Sequence, residues 1–258
     1  MKLRALSRGA AALVAGLVIA SSLSARADGT SEAFGQIHFS KYFLNNNVWG
    51  WEDSPAGWNA IWNSNNTSPV WWGTAYNWPA NGNPNSVKAY PSIISGWHWG
   101  TWSANSGLPV RIWENKNLST GASFTIQNAG VQNVAYDCWF HTIPNPTWEH
   151  QPTDELMVWL SSYGGAGPLG TLQETVWIAG HQWRVYRGNI GWNVYSFVRT
   201  SNTTSWNFNL RDFVNHVTYN KGWMSNSKYV TSVQFGTEVF STSGNGQLNV
   251  SNYRLDVN

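Results

Sequence analysis

Three acidic residues lie on strand-like stretches where an acid is out of place. Residues 153–160 read TDELMVWL. Side chains alternate between the two faces of a strand, so Leu156, Val158 and Leu160 share one face and Glu155, Met157 and Trp159 share the other. The first face is ordinary sheet core. The second sets a carboxylate beside a thioether and an indole, a surface suited to the floor of a groove that holds something polar with flat apolar faces. A sugar chain fits that description. Residues 232–240, SVQFGTEVF, repeat the pattern, with Val233, Phe235 and Val239 on one face and Glu238 on the other among Ser232, Gln234, Gly236 and Phe240. In residues 134–140, VAYDCWF, Val134, Tyr136, Cys138 and Phe140 point one way and Asp137 and Trp139 the other.

Two carboxylates facing one groove are the machinery of glycosidic cleavage. One protonates the leaving oxygen, while the other attacks the anomeric carbon or activates water. Glu155 and Glu238 are candidates for these roles, and Asp137 could tune the carboxyl beside it. On residue pattern alone, two solvated glutamates on outer strands remain an alternative. Asp154 falls on the opposite face from Glu155 and is the weaker candidate. The six histidines do not fall at metal-ligand spacing, and neither a phosphate-binding glycine loop nor a G-x-S-x-G motif is present. No metal or organic cofactor is expected.

The elements that must position these acids are β in period. Short apolar-alternating runs separated by Asn, Gly and Pro recur along the chain, at 36–47, 110–113, 122–127, 177–178, 182–186 and 192–199. Residues 87–94 read as a strand interrupted by Pro91, which suggests an edge or a bulge. One stretch differs: Leu210, Phe213, Val214 and Val217 follow helical spacing, with Gly222 as a stop. Many strands and one α-helix predict an all-β fold, a β-sandwich or β-jelly roll of two packed antiparallel sheets, in which a concave sheet could bring the acids together across a groove.

Composition narrows the functional classes. The chain holds 19 Trp among 258 residues and only 11% charged residues, with abundant Asn, Gly, Ser and Thr. Many of these indoles are core, but their frequent placement beside Asn or Gly suits sugar-stacking platforms on a groove. Lys2, Arg4 and Arg8, the apolar run at 10–20 and Ala25-Arg26-Ala27 read as a secretory signal peptide over residues 1–27. Residues 28–258 are then a single catalytic domain. Four of the 15 basic residues and none of the 13 acidic ones lie in the leader, so the remainder carries net charge −2. That balance gives no basic patch for nucleic acid. The lone Cys138 rules out an internal disulfide and reads as a buried, inert thiol. The expectation is a secreted, extracellular monomer, with a polysaccharide partner and no membrane association after cleavage.

The segments DELMVWL with Glu155 and VQFGTEVF with Glu238 resemble the two signature strands of glycoside hydrolase family 12. NNNVWG around Trp49, VKAYPSI, YDCWF, GGAGPLG and the closing LNVSNYRLDVN resemble family segments in the same order. The resemblance spans nearly all of residues 28–258. It implies a secreted retaining endo-β-1,4-glucanase, a cellulase, acting on β-glucan. Within it Glu155 is the nucleophile, Glu238 the acid/base and Asp137 the support of the nucleophile. Trp49, with Asn47 beside it, is a sugar platform, and Met157 and Trp159 adjoin the substrate. Two departures stand out. Val239 occupies a position where many members carry Pro, and the disulfide of some fungal members is absent. A xyloglucan-specific endoglucanase and a non-catalytic carbohydrate-binding β-sandwich are the competing expectations.

Overall fold

The computed structural model describes residues 28–80, 83 and 85–258. The leader expected at 1–27 lies outside the described residues. The chain forms two sheets packed face to face. The back sheet has six strands in the order Gly29–Thr30, Trp58–Asn63, Val70–Asn77, Gly246–Val257, Leu118–Gln127 and Ser205–Asn209. The front sheet has twelve. Its main path runs Thr171–Ile178, His181–Asn189, Asn193–Arg199, Asp154–Tyr163, Val131–His141, Tyr229–Gly236, Ser92–His98, Tyr42–Asn45 and Gln36–Phe39. This is the expected jelly-roll architecture. One pairing departs from the antiparallel rule: Asp154–Tyr163 runs parallel to Asn193–Arg199.

The alternation read from sequence sorts the front sheet as expected. Val134, Tyr136, Cys138, Phe140, Leu156, Val158, Leu160, Val233, Phe235 and Val239 all join the core between the sheets. The other faces of the same strands meet in a second, smaller apolar cluster of Ala135, Met157, Trp159 and Phe240. The central strands are therefore buried on both sides. The core lies behind them, and a cleft floor lies in front.

Two local expectations need refinement. Pro91 does not mark an edge. The strand begins just after it, at Ser92, and lies between Tyr229–Gly236 and Tyr42–Asn45 in the middle of the sheet. Proline is tolerated because it precedes the first ladder position. The predicted helix is also shorter than a continuous α-helix. It runs Arg211–Asn215 and then widens into a π turn, His216–Asn220, before Gly222 ends it at φ +65°. Leu210, Phe213, Val214 and Val217 still turn one buried face to the core.

Phe213 ties this helix to the front sheet. Its ring packs edge-on against Trp183 at 5.0 Å and Phe197 at 5.1 Å. Phe197 lies in the strand parallel to the one that carries Glu155. Phe213→Ala would open a cavity among rings that cannot collapse onto it, at a cost of about 3–5 kcal/mol. Chemical denaturation should show a loss of that size; a loss below about 1 kcal/mol would mean that the helix does not brace the sheet.

Candidate active site

Sheet register brings the acids together. Val131–His141 is flanked by the other two acid-bearing segments, so its residues mark the middle of the site. Asp137 stands opposite Met157 on one neighbour and Gln234 on the other, while Trp139 stands opposite Glu155 and Ser232. Asp137 and Glu155 are therefore diagonal neighbours on one face. Glu238 arrives differently. Its strand stops at Gly236, where a Cβ would fall 2.3 Å from the Pro91 carbonyl oxygen. Only glycine allows that approach. Thr237 then donates its hydroxyl to the Asn133 carbonyl, and the Glu238 backbone N–H donates to Asn133 Oδ1 at 2.9 Å. The Asn133 N–H donates to the Glu238 carbonyl at 3.1 Å, and the Val239 N–H donates to the Ala89 carbonyl at 3.0 Å. The register with Val131–His141 is kept past Gly236, so Glu238 stays opposite Asn133 and strand alternation turns it to the cleft.

The cleft has a volume of about 1070 Å³ and is lined by Glu155, Glu238 and Asp137 together with Trp49, Asn47, Met157 and Trp159. All seven residues singled out from the sequence thus reach one site. Their exposures differ. Trp49 stands 57% exposed at the rim, and its backbone N–H is held by Asn47 Oδ1 at 3.1 Å. Trp159 is only 1% exposed and forms floor with Met157. Asp154, expected to face away, is fully buried on the core side, where Lys228, Tyr195, Asn193 and Thr153 all bond its carboxylate.

Several lining residues escaped the sequence reading. Trp99, Trp139 and Trp192 form an aromatic corner beside Glu155, with ring centroids 5.4–6.4 Å apart. Trp192 donates its indole N–H to Glu155 Oε2 at 2.7 Å. Trp99 and Gly100 form the two-residue loop of a hairpin between His98 and Thr101, with φ +45° and +91°. Such tight hairpins require positive φ at both loop positions, which suits glycine and penalises a bulky residue by about 1–2 kcal/mol. A tryptophan retained at that cost fits a role at the cleft wall. Tyr90, His98 and Gln234 add polar groups to the lining; the Gln234 amide lies 3.1 Å from His98 Nδ1. The only sequence signal for the tryptophans was their placement beside glycine or on the Asp137 face.

The electrostatics follow from enclosure. Burial raises Glu155 from an ordinary 4.5 to about 7, and the Trp192 N–H holds it from rising further. Glu238 is partly open to the cleft yet surrounded by protein. Desolvation and the charge of Glu155 raise it to about 8, opposed by the Asn133 amide, which donates to Oε2 at 2.5 Å. Asp137 is pushed well above the usual carboxylate range by burial and then by the charges of both glutamates. Three carboxyls share one desolvated site, so they cannot all ionise near neutral pH. One group can give up a proton while another has already lost its own, which is the condition for acid and nucleophile or base to coexist.

The family model for glycosyl hydrolase family 12 matches residues 40–258. Endoglucanase S of Pectobacterium parmentieri is 42% identical over 249 residues, covering 93% of this chain and 91% of that protein. Xyloglucan-specific endo-beta-1,4-glucanase A of Emericella nidulans is 34% identical over 262 residues, covering the whole of both. Among solved structures, the native family 12 xyloglucanase from Bacillus licheniformis superposes with a TM-score of 0.82 at 43% identity, covering 90% of this chain and 100% of that one.

The raised carboxyls also set a stability signature. Between about pH 4.5 and 8 the folded chain holds protons that the unfolded chain releases, so these groups stabilise the fold at acid pH and lose that contribution as pH rises through their folded values. Glu238→Gln, which removes one of the charges, should therefore raise Tm relative to the wild type at pH 9 and change it little at pH 4. Each kcal/mol gained corresponds to about 2–4 °C for a domain of this size. Thermal melts at the two pH values check this; an equal difference at both would mean that the site is not a desolvated acid cluster.

Proposed function

The chain belongs to glycosyl hydrolase family 12 and is a glycoside hydrolase of the endoglucanase or xyloglucanase type with a polysaccharide substrate, and from that premise we propose that it cleaves internal β-1,4 bonds of β-glucan with retention, through Glu155 and Glu238. The observation that carries this reading is the unequal surroundings of the two glutamates. Glu155 accepts the Trp192 indole N–H, which favours its ionised form, while the charge of Glu155 beside Glu238 favours a proton there. The ionised group suits the nucleophile and the protonated group the acid.

The mechanism proceeds in two displacements. The Glu155 carboxylate attacks the anomeric carbon as the glycosidic bond breaks, and Glu238 gives its proton to the departing oxygen. This leaves a glycosyl ester on Glu155 and an ionised Glu238. Glu238 then takes a proton from water as that water attacks the same carbon, and Glu155 leaves as a carboxylate. Asp137, held protonated beside Glu155, can donate a hydrogen bond to the nucleophile without adding charge. Met157 and Trp159 form the apolar floor, and Trp49, steadied by Asn47, stacks on a sugar ring away from the broken bond. The two carboxyls carry the whole proton and electron balance, so no cofactor enters a step.

A second reading of the substrate is xyloglucan. It is favoured by the solved family 12 xyloglucanase at 43% identity and by the full-length xyloglucan-specific relative. Parallel reducing-end assays on soluble cellulose derivatives and on xyloglucan separate the two. The reading also takes residues 1–27 as a cleaved secretory leader and 28–258 as one catalytic domain working outside the cell as a monomer. Among the described residues, no helix is long and apolar enough to cross a membrane.

Glu155→Gln keeps the shape of the residue and removes the nucleophile. Hydrolysis should fall by at least about 10³-fold with circular dichroism unchanged; activity near the wild-type level would sink the assignment. Asn133→Ala removes a hydrogen bond that favours ionised Glu238, so the group that must stay protonated would titrate higher. The alkaline limb of kcat/KM should move to higher pH, whereas a shift to lower pH would contradict Glu238 as the acid.

A further inference from the structure

The back sheet turns an unusual face to solvent. Strands Trp58–Asn63, Val70–Asn77, Leu118–Gln127 and Ser205–Asn209, with residues 246–253, contain no Asp, Glu, Lys or Arg. An outward sheet face of a water-soluble protein normally carries charge, which keeps it solvated and discourages association. Here the outward positions hold hydroxyl and amide side chains around three tryptophans, and the charged Arg254 and Asp256 stand at the other end of the face, opposite Gly121 and Ser119. Trp58 is 41% exposed and Trp71 51% exposed, and Trp62 is half-buried.

Register places these indoles in a line. Trp58 stands opposite Asn77 and Trp62 opposite Gly73, with Trp71 two residues along the same strand from Gly73. Trp58 and Trp62 are four residues apart, about 13 Å along the strand. Trp62 does not stand up from the sheet. A Cβ on Gly73 would fall 2.5 Å from Trp62 Cζ2 and 2.7 Å from Cε2, so the indole lies across the glycine with one face on the backbone and the other outward. Asn249 pairs with Gly73 on its far side, and the Gln247 amide donates to Asn249 Oδ1 at 2.8 Å, holding the amide row in place beside the rings. Flat indole faces flanked by fixed amides, with no charge, match the C–H faces and hydroxyls of a neutral sugar chain.

Trp49 stands at the cleft rim, and Trp51, two residues on, lines a separate small cavity of about 180 Å³ together with Trp58.

We propose that this back face is a second, non-catalytic binding surface for a neutral β-1,4-glucan chain, with Trp58, Trp62 and Trp71 as its platforms. It keeps the enzyme on a polymer whose next bond the cleft has yet to take. The occupant rests on the reading of the substrate given above, but binding here is measured independently of hydrolysis.

The test is native affinity electrophoresis in gels with and without hydroxyethyl cellulose or xyloglucan, using the wild type, Trp62→Ala/Trp71→Ala and Trp49→Ala. A short cello-oligosaccharide, which only the cleft need hold, serves as hydrolysis substrate in parallel. The double variant should lose at least half of the polymer-dependent retardation and keep oligosaccharide hydrolysis within about twofold of the wild type. Trp49→Ala should show the reverse bias. Should the double variant fail to fold, Thr125→Lys/Asn249→Lys places charge on the same face and should give the same loss. Retardation unchanged in a folded back-face variant, or absent in the wild type on both polymers, overturns the proposal. Retardation without hydrolysis of any substrate by the wild type would instead overturn the catalytic reading and leave the surface standing.

Discussion

The structure depends on one electrostatic constraint: three carboxyls occupy a site too dry to hold three charges. Asp137, Glu155 and Glu238 are each raised by burial first, and Asp137 and Glu238 further by neighbouring charge. A fold ordinarily avoids such an arrangement, because an uncompensated buried charge costs several kcal/mol. Here the cost is limited by keeping protons in the site and by two donors, the Trp192 indole on Glu155 and the Asn133 amide on Glu238. The same features that make the cluster unfavourable for stability at high pH are the ones the proposed mechanism uses, a proton to give and a carboxylate to attack.

The rest of the fold supplies the enclosure. The strand with Asp137 is paired on both sides, so the positions of Asp137 and Glu155 are fixed by ladder hydrogen bonds instead of by loop conformation. The core behind those strands fixes their faces. Asp154 shows how tightly this is done: one residue before Glu155, it is bound on the opposite side by Lys228, Tyr195, Asn193 and Thr153, so the strand cannot rotate at that point. Glu238 lies just past the strand end at Gly236, held opposite Asn133 by its backbone N–H on Asn133 Oδ1 and its carbonyl on the Asn133 N–H.

Much of this was legible in the sequence. Period-2 alternation assigned the core and cleft faces of all three acid-bearing strands, because a carboxylate turned to the core needs a charged partner there, as Asp154 has in Lys228. Resemblance of the Glu155 and Glu238 segments to a known family supplied the roles, which residue pattern alone left open. What was not legible depends on contacts between distant segments. Trp192 meets Glu155 only because Asn193–Arg199 lies parallel beside Asp154–Tyr163. Asn133 meets Glu238 only because Val131–His141 pairs antiparallel with both Tyr229–Gly236 and Val239–Ser241. Trp99 stands at the cleft through a strained turn that tryptophan rarely occupies. Pro91 was misleading for a related reason: a proline one residue before a strand and a proline within one look alike until the strand's first hydrogen bond is known.

The division of labour between the two glutamates is the central claim, and covalent trapping tests it most directly. The enzyme would be incubated with a 2-deoxy-2-fluoro cello-oligosaccharide bearing an activated leaving group, digested, and its peptides examined by mass spectrometry. The account predicts one fluoroglycosyl group per chain, on the peptide containing Glu155 and assigned to that residue by fragmentation. A label on Glu238, or inactivation with the label on a residue outside the pair, would contradict it.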